Sequence, residues 1–186
     1  MNRSNLFISG SGRSGTTWLL DSVAVANGLR TVFEPLHPLC GKPASAYSQR
    51  WLGAEDDAPE LATIMSSVFE NRYDSLWTDY RIRPDRLRAD LSKPLIPEAR
   101  RVAERWFKLS QNIASLRPSK RFERPIVKEI RGNFLLSWLQ ALFQTRIVHV
   151  VRHPLAVILS KEKAGLDNWD SVSELSSLRE QAERVA

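Results

Sequence analysis

Residues 10–18 read Gly-Ser-Gly-Arg-Ser-Gly-Thr-Thr-Trp, close behind the first residue of the sequence. A short apolar run at residues 6–8 precedes this loop and predicts a strand, and residues 18–26 follow it and predict a helix with an apolar face. Glycines let the loop bend and bring backbone N–H groups close to a phosphate. The helix start adds further N–H donors and a partial positive charge. Strand, loop and helix together therefore predict an anion-binding site.

The loop departs from the nucleoside-triphosphate signature GxxxxGK[ST] at one position. Gly10 and Gly15 have the required spacing, and Thr17 occupies the position of the metal-binding hydroxyl. Thr16 stands where that signature has the lysine that reaches the outer phosphates. The nearest cation in the loop is Arg13. The pattern predicts a phosphate site rather than a magnesium–triphosphate site, with an ordinary glycine turn as the alternative.

Residues 11–19 resemble the 5′-phosphosulfate loop of sulfotransferases that use 3′-phosphoadenosine 5′-phosphosulfate (PAPS). Members of this family carry lysine or arginine at the position of Arg13. A second family motif is an Arg-x-Pro run with a serine eight residues after the arginine, and here Arg152-His153-Pro154 is followed by Ser160. The resemblance implies that PAPS is bound by Gly12, Arg13, Ser14, Gly15, Thr16, Thr17, Arg152 and Ser160.

Glu34 follows a second predicted strand, residues 31–33, which Pro35 ends because proline cannot donate to a sheet. The carboxyl edge of a parallel sheet is where such folds bind ligands. Residues 33–36 also resemble a stretch of carbohydrate and bacterial sulfotransferases in which an acidic residue is a candidate base for the accepting hydroxyl. Glu34 is therefore the candidate catalytic base and His37 the next one, unless Glu34 is a surface carboxylate that caps a turn.

Two further strands are predicted at residues 125–130 and 146–151. The second is a near-continuous apolar run, as expected for a strand buried on both faces. Carbohydrate sulfotransferases often have a Lys-x-x-Arg stretch at the end of the first of these strands, which here matches Lys128 and Arg131. These cations either face the sulfate or an acidic acceptor, or are solvated charges at a strand end. The resemblance makes Lys128 and Arg13 candidate catalytic residues beside Glu34.

Alternating strands and helices predict an α/β fold with a central parallel sheet. The motifs make it a P-loop-like three-layer domain that spans residues 1–186, with a helical insertion at about 41–124. Helices are predicted in that insertion at residues 59–69 and 98–116, and in a polar tail at 171–185. The resemblance implies a further glycine- and lysine-containing loop near the 3′-phosphate, which the tail does not supply. A fragment, a truncated product and a reduced family member all stay open.

The formal net charge of +6 points to anionic ligands, and both a nucleotide and nucleic acid would fit it. Basic residues are spread without a long Lys/Arg block, and we expect no nucleic-acid partner. Cys40 is the only cysteine, so neither an intrachain disulfide nor a cysteine-built zinc site is possible, and the three histidines lack metal-ligand spacing. No apolar run reaches the length of a membrane span, and no signal peptide is visible. We expect a soluble cytoplasmic protein that uses no metal.

These observations predict transfer of a sulfuryl group from PAPS to a hydroxyl, with a carbohydrate as the candidate acceptor. Two alternatives come from other classes. One is a P-loop kinase or nucleoside triphosphatase, which needs a lysine at the position of Thr16 and ligands for magnesium. The other is a non-catalytic protein that binds the nucleotide without turnover. The sequence specifies neither the acceptor nor the oligomeric state.

Overall fold

The computed structural model describes residues 5–73, 75, 77–78, 124–165, 176, 179–181 and 183. The strands are β1 (Leu6–Gly10), β2 (Arg30–Phe33), β3 (Pro125–Lys128) and β4 (Arg146–Val150). They form one sheet in the order β2-β3-β1-β4, and every pairing is parallel. The predicted α/β class with a central parallel sheet is therefore confirmed.

The helices are α1 (Thr16–Asn27), α2 (Pro59–Phe69), α3 (Leu136–Phe143) and α4 (Pro154–Glu162). Two short 3₁₀ helices, Pro38–Cys40 and Ala44–Tyr47, lie between β2 and α2. The helix predicted at 98–116 lies outside the described residues, as do all but five residues of the tail predicted at 171–185. None of the helices in the described ranges has the length and apolar character needed to cross a membrane.

Side chains of the central strands alternate between two cores, because successive residues of a strand point to opposite faces. Phe7 and Val127 face a core that includes α2 and α3, whereas Ile8 and Ile126 face a smaller core with Leu20 of α1. Full burial of a side chain of this size contributes about 1.5–3 kcal/mol. Helices thus cover both faces of the sheet, and α2 shows that the insertion covers one of them.

Strand β4 is exposed, so the prediction that it is buried on both faces is wrong. Val148 is 50% exposed and Val151, just after the strand, is 82% exposed. In the described sheet β4 is an edge strand that pairs with β1 alone. Its apolar run resembles that of a buried strand, but the described part of the chain provides no second layer over it. Leu155 and Ile158 of the neighbouring α4 are exposed as well.

Parallel strands bring the ends of all four strands to one edge of the sheet, where we locate the candidate site. The loop from β1 to α1 lies beside Arg152, because β1 pairs with β4. Glu34 lies beside the turn that follows β3, because β2 pairs with β3. The strand order thus divides the site into a phosphate-loop half and a carboxylate half.

Candidate functional site

The loop between β1 and α1 has the backbone of an anion-binding turn. Gly10, Arg13 and Gly15 all have positive φ, at 148°, 68° and 102°. A Cβ on Gly10 would lie 2.6 Å from the carbonyl oxygen of Val150, so the loop requires glycine there. The first bond of α1 runs from the Leu19 N–H to the Gly15 carbonyl at 3.1 Å. The N–H groups ahead of that bond have no acceptor within the helix and carry its partial positive charge.

Two hydroxyl side chains at the loop, those of Ser14 and Thr16, are buried. Ser14 is 7% exposed, and its Oγ is buried without a hydrogen-bond partner. The Ser14 hydroxyl and the Thr16 methyl group would each lie 3.1 Å from a Cβ on Gly10, so both side chains are directed at the end of β1. Gly12 lies in the same loop, and Thr17 is the second residue of α1. A buried hydroxyl without a partner is uncommon in folded proteins.

The two motifs that are far apart in the sequence meet at this loop. Arg13 donates from Nε to Ser160 Oγ at 3.1 Å, and Arg152 donates from a terminal nitrogen to the Arg13 carbonyl oxygen at 3.0 Å. These contacts bridge 147 and 139 residues of sequence. Arg13 and Arg152 are both exposed, so each keeps donors that face solvent. The structure thus brings Arg13 of the first motif together with Arg152 and Ser160 of the second.

Glu34 forms the centre of a buried ionic cluster at the other half of the site. It lies just after β2 with a φ of 44°, and Lys128 Nζ contacts one of its carboxylate oxygens while Arg131 donates to the other at 2.7 Å. Lys128 is 3% exposed, and its ammonium lies 4.2 Å from the ring centre of Phe33. Lys128 and Arg131 are therefore ion-pair partners of Glu34 rather than solvated strand-end charges, and their facing a sulfate or an acceptor stays a prediction. Glu34 is likewise no surface carboxylate that caps a turn.

Glu129 is a buried acid of the candidate site that the sequence interpretation missed. Its side chain is fully buried and accepts hydrogen bonds from the backbone N–H groups of Leu36 at 2.7 Å and Arg131 at 2.8 Å. Burial and the nearby negative charge of Glu34 raise its pKa from 4.5 to about 7, although the two N–H groups oppose this. One signal was available: Glu129 is an acid inside the predicted strand 125–130, between the Lys and the Arg of the Lys-x-x-Arg stretch.

Asn133 joins the two halves of the site. Its amide oxygen accepts from the Gly10 N–H at 3.1 Å, and its amide nitrogen donates to the Gly10 and Ile130 carbonyl oxygens at 3.2 and 3.1 Å. Ser9, the residue before the loop, contacts His149 Nδ1 of β4 at 2.7 Å through its hydroxyl. Side-chain bonds therefore hold the start of the phosphate loop from both neighbouring strands.

His37 and Cys40 are less suited to catalysis. His37 stacks on Trp77 with ring centres 3.7 Å apart, and its Nδ1 accepts from the Leu39 N–H at 3.1 Å. Burial raises the pKa of Cys40 to about 12, which keeps its thiol protonated and unreactive at neutral pH. Among the residues that the structure describes, no group of three or more His, Cys, Asp or Glu side chains could hold a metal ion.

Comparison of the chain with models of protein families, with curated proteins and with solved structures gives no match. The function therefore has to be argued from the site itself. The site has a glycine loop at the start of α1 with two exposed arginines and, across Asn133, a buried carboxylate that contacts two cations.

Proposed function

We propose that the protein has a P-loop-like fold and transfers a sulfuryl group from PAPS to a hydroxyl acceptor, with a carbohydrate as the candidate acceptor. The observation that carries the proposal is the convergence of Arg13, Arg152 and Ser160 at the loop. A nucleotide with phosphates at both its 5′ and 3′ positions needs cationic donors on two sides. Arginine suits this task, because its planar guanidinium forms paired, charge-assisted hydrogen bonds with phosphate oxygens.

The loop fits the 5′-phosphate end of such a donor. The start of α1, with its N–H groups that have no acceptor within the helix, favours an anion at this position. Arg13 and the loop N–H groups would bind the 5′-phosphate, while Arg152 and Ser160 would bind the 3′-phosphate. When bound, PAPS supplies the sulfuryl group, and its phosphate is the leaving group.

Glu34 is the proposed acceptor of the proton from the attacking hydroxyl. Glu34 is only 5% exposed and both of its carboxylate oxygens contact cations, so we expect a hydroxyl to reach Glu34 when one cation moves away. We expect Lys128 to move, because its ammonium is a point charge on a flexible stem, whereas the guanidinium of Arg131 is a rigid fork. Once displaced, the Lys128 ammonium would stabilise negative charge that develops during transfer.

The same ion pairs favour a second candidate, a nucleotide-binding protein without turnover. If neither cation releases Glu34, the phosphate loop still binds its ligand but no base is free. The nucleoside-triphosphate alternative has less support. Thr16 is buried and directed at the end of β1, so nothing at the lysine position reaches out to a γ-phosphate.

Thermal unfolding with different nucleotides tests the proposal. We expect 3′,5′-adenosine bisphosphate to raise Tm without magnesium, since a ligand at 100 times its Kd stabilises the native state by about 2.7 kcal/mol. Arg152→Ala should lose most of that shift. Arg124→Ala is the matched control, because Arg124 lies just before β3, at the edge of the sheet opposite the site. A shift with ATP and magnesium alone would refute the proposal. Labelled PAPS then separates the two candidates, because binding without transfer supports the non-catalytic protein.

A further inference from the structure

Glu129 connects the turn after β2, which carries Glu34, to the turn after β3, which carries Arg131. One carboxylate oxygen accepts from Leu36, two residues after Glu34, and the other accepts from the backbone of Arg131. The side chain of Arg131 in turn donates to Glu34. Glu129 and Glu34 thus hold Arg131 from two directions, through its backbone and through its guanidinium.

The surroundings of Glu129 leave its side chain little freedom. Its backbone N–H donates to the Ile8 carbonyl at 2.9 Å, which fixes it beside β1. A Cβ on Gly132 would lie 3.1 Å from its Cγ and 3.5 Å from Leu36, so the turn packs closely against the carboxylate arm. A fully buried carboxylate costs stability unless hydrogen bonds compensate, and here both oxygens are used on backbone donors. An apolar side chain could fill this space but could not join the two turns.

We propose that Glu129 is a positioning residue whose carboxylate clamps the turn after β2 to the turn after β3 and so sets Glu34 and Arg131 in register. This proposal rests on the proposed function for its catalytic consequence, but the clamp itself does not. Glu129 makes its hydrogen bonds to the backbone of the turns that carry the ion pairs, not to the paired side chains. Loss of the clamp would shift Glu34 relative to the acceptor hydroxyl while leaving the phosphate loop intact.

Two variants remove the clamp in different ways. Glu129→Gln replaces one acceptor oxygen with an N–H₂ group that faces a backbone donor, and Glu129→Asp keeps the charge but is one methylene too short to reach both turns. We expect both variants to lower kcat about 10²-fold, the cost of a misplacement of roughly 1 Å, with an unchanged Kd for 3′,5′-adenosine bisphosphate. Glu55→Gln, an exposed carboxylate in a loop, is the control. A wild-type kcat in a folded Glu129→Asp variant would overturn the proposal.

A double-mutant cycle on urea unfolding tests the clamp independently of activity. If Glu129 positions Glu34, then Glu129→Gln and Glu34→Gln together should cost less free energy of unfolding than the sum of the single losses. Additive losses would refute the clamp, even in an active enzyme. Wild-type protein that transfers no sulfuryl group would instead refute the proposed function, and the cycle would still decide on the clamp.

Discussion

Glu34 has a structural role that is separable from its proposed chemistry. Its carboxylate is the counterion of Lys128, which is 3% exposed, and of Arg131. Removing one partner of a buried ion pair typically costs about 3–5 kcal/mol, because the other charge stays buried without compensation. A simple loss of activity in a Glu34 variant would therefore not identify a catalytic base, since the fold suffers as well.

We predict that Glu34→Gln lowers both the free energy of unfolding, by about 3 kcal/mol, and kcat, by about 10²–10⁴-fold. Adding Lys128→Met removes the unpaired ammonium and should restore much of the lost stability without restoring kcat. Urea unfolding and transfer of label from PAPS, measured on both variants, separate the two effects. Near-normal turnover in Glu34→Gln would remove Glu34 as the base and make His37 the next residue to test.

At the residue scale, the sequence motifs predicted which residues lie together, while their roles stay predictions. Arg13, Arg152 and Ser160 were identified by two motifs, and they contact one another. Glu129 was missed, because a buried acid and an exposed acid look alike in a sequence. Only the register of β3 with β1 and β2 reveals that Glu129 is enclosed.

At the scale of elements, the β1-loop-α1 unit depends more on Gly10 than on Gly15, which has open space at its Cβ position. A side chain at Gly10 meets the backbone of β4 at 2.6 Å and also has an unfavourable φ of 148°. Gly28, at the end of α1, has a φ of 61° but open space around it. Comparing the same substitution at Gly10 and at Gly28 therefore separates the free-energy cost of a positive φ from that of a steric clash.

We predict that Gly10→Ala lowers the free energy of unfolding by about 3 kcal/mol or more, because overpacking adds to backbone strain. Gly28→Ala should cost only about 1 kcal/mol, the penalty of a left-handed conformation alone. Gly10→Ala should also abolish the Tm shift with 3′,5′-adenosine bisphosphate, whereas Gly28→Ala should keep it. Equal losses of stability in the two variants would contradict the close approach of the loop to β4.

Strand positions were predicted well, but the environment of β4 was not. The apolar run 146–151 indicates a strand, which the structure confirms at Arg146–Val150. Whether such a strand is central depends on what pairs with it and what covers it, and neither is local information. In the described sheet, order β2-β3-β1-β4 leaves β4 at an edge, with Val148 half exposed.

At the scale of the whole molecule, stability depends on Glu129, a carboxylate of the described residues whose ionisation is opposed by its burial. Glu129 has a native-state pKa of about 7 against an ordinary value of 4.5, chiefly because burial disfavours its charged form. The ionisable groups that face it are Glu34 and Arg131 in the cluster, and Cys40 and Tyr73 from the other side. Burial also raises the pKa values of Cys40 and Tyr73, so both stay neutral through the neutral range.

This pKa shift predicts how stability depends on pH. Between the two pKa values the native state holds a proton that the unfolded chain has lost, so the free energy of unfolding falls as pH rises. The contribution of Glu129 is fully present below about pH 4.5 and is lost above about pH 7, a loss of about 3 kcal/mol. Urea unfolding of the wild type and of Glu129→Gln, measured from about pH 4.5 to about pH 7, isolates the contribution of Glu129, because the other ionisable groups are present in both proteins. We expect the wild type to lose stability relative to the variant as pH rises. A constant difference between the two proteins would mean that the two backbone N–H groups keep Glu129 ionised throughout, and that its carboxylate is held by those bonds more strongly than burial opposes it.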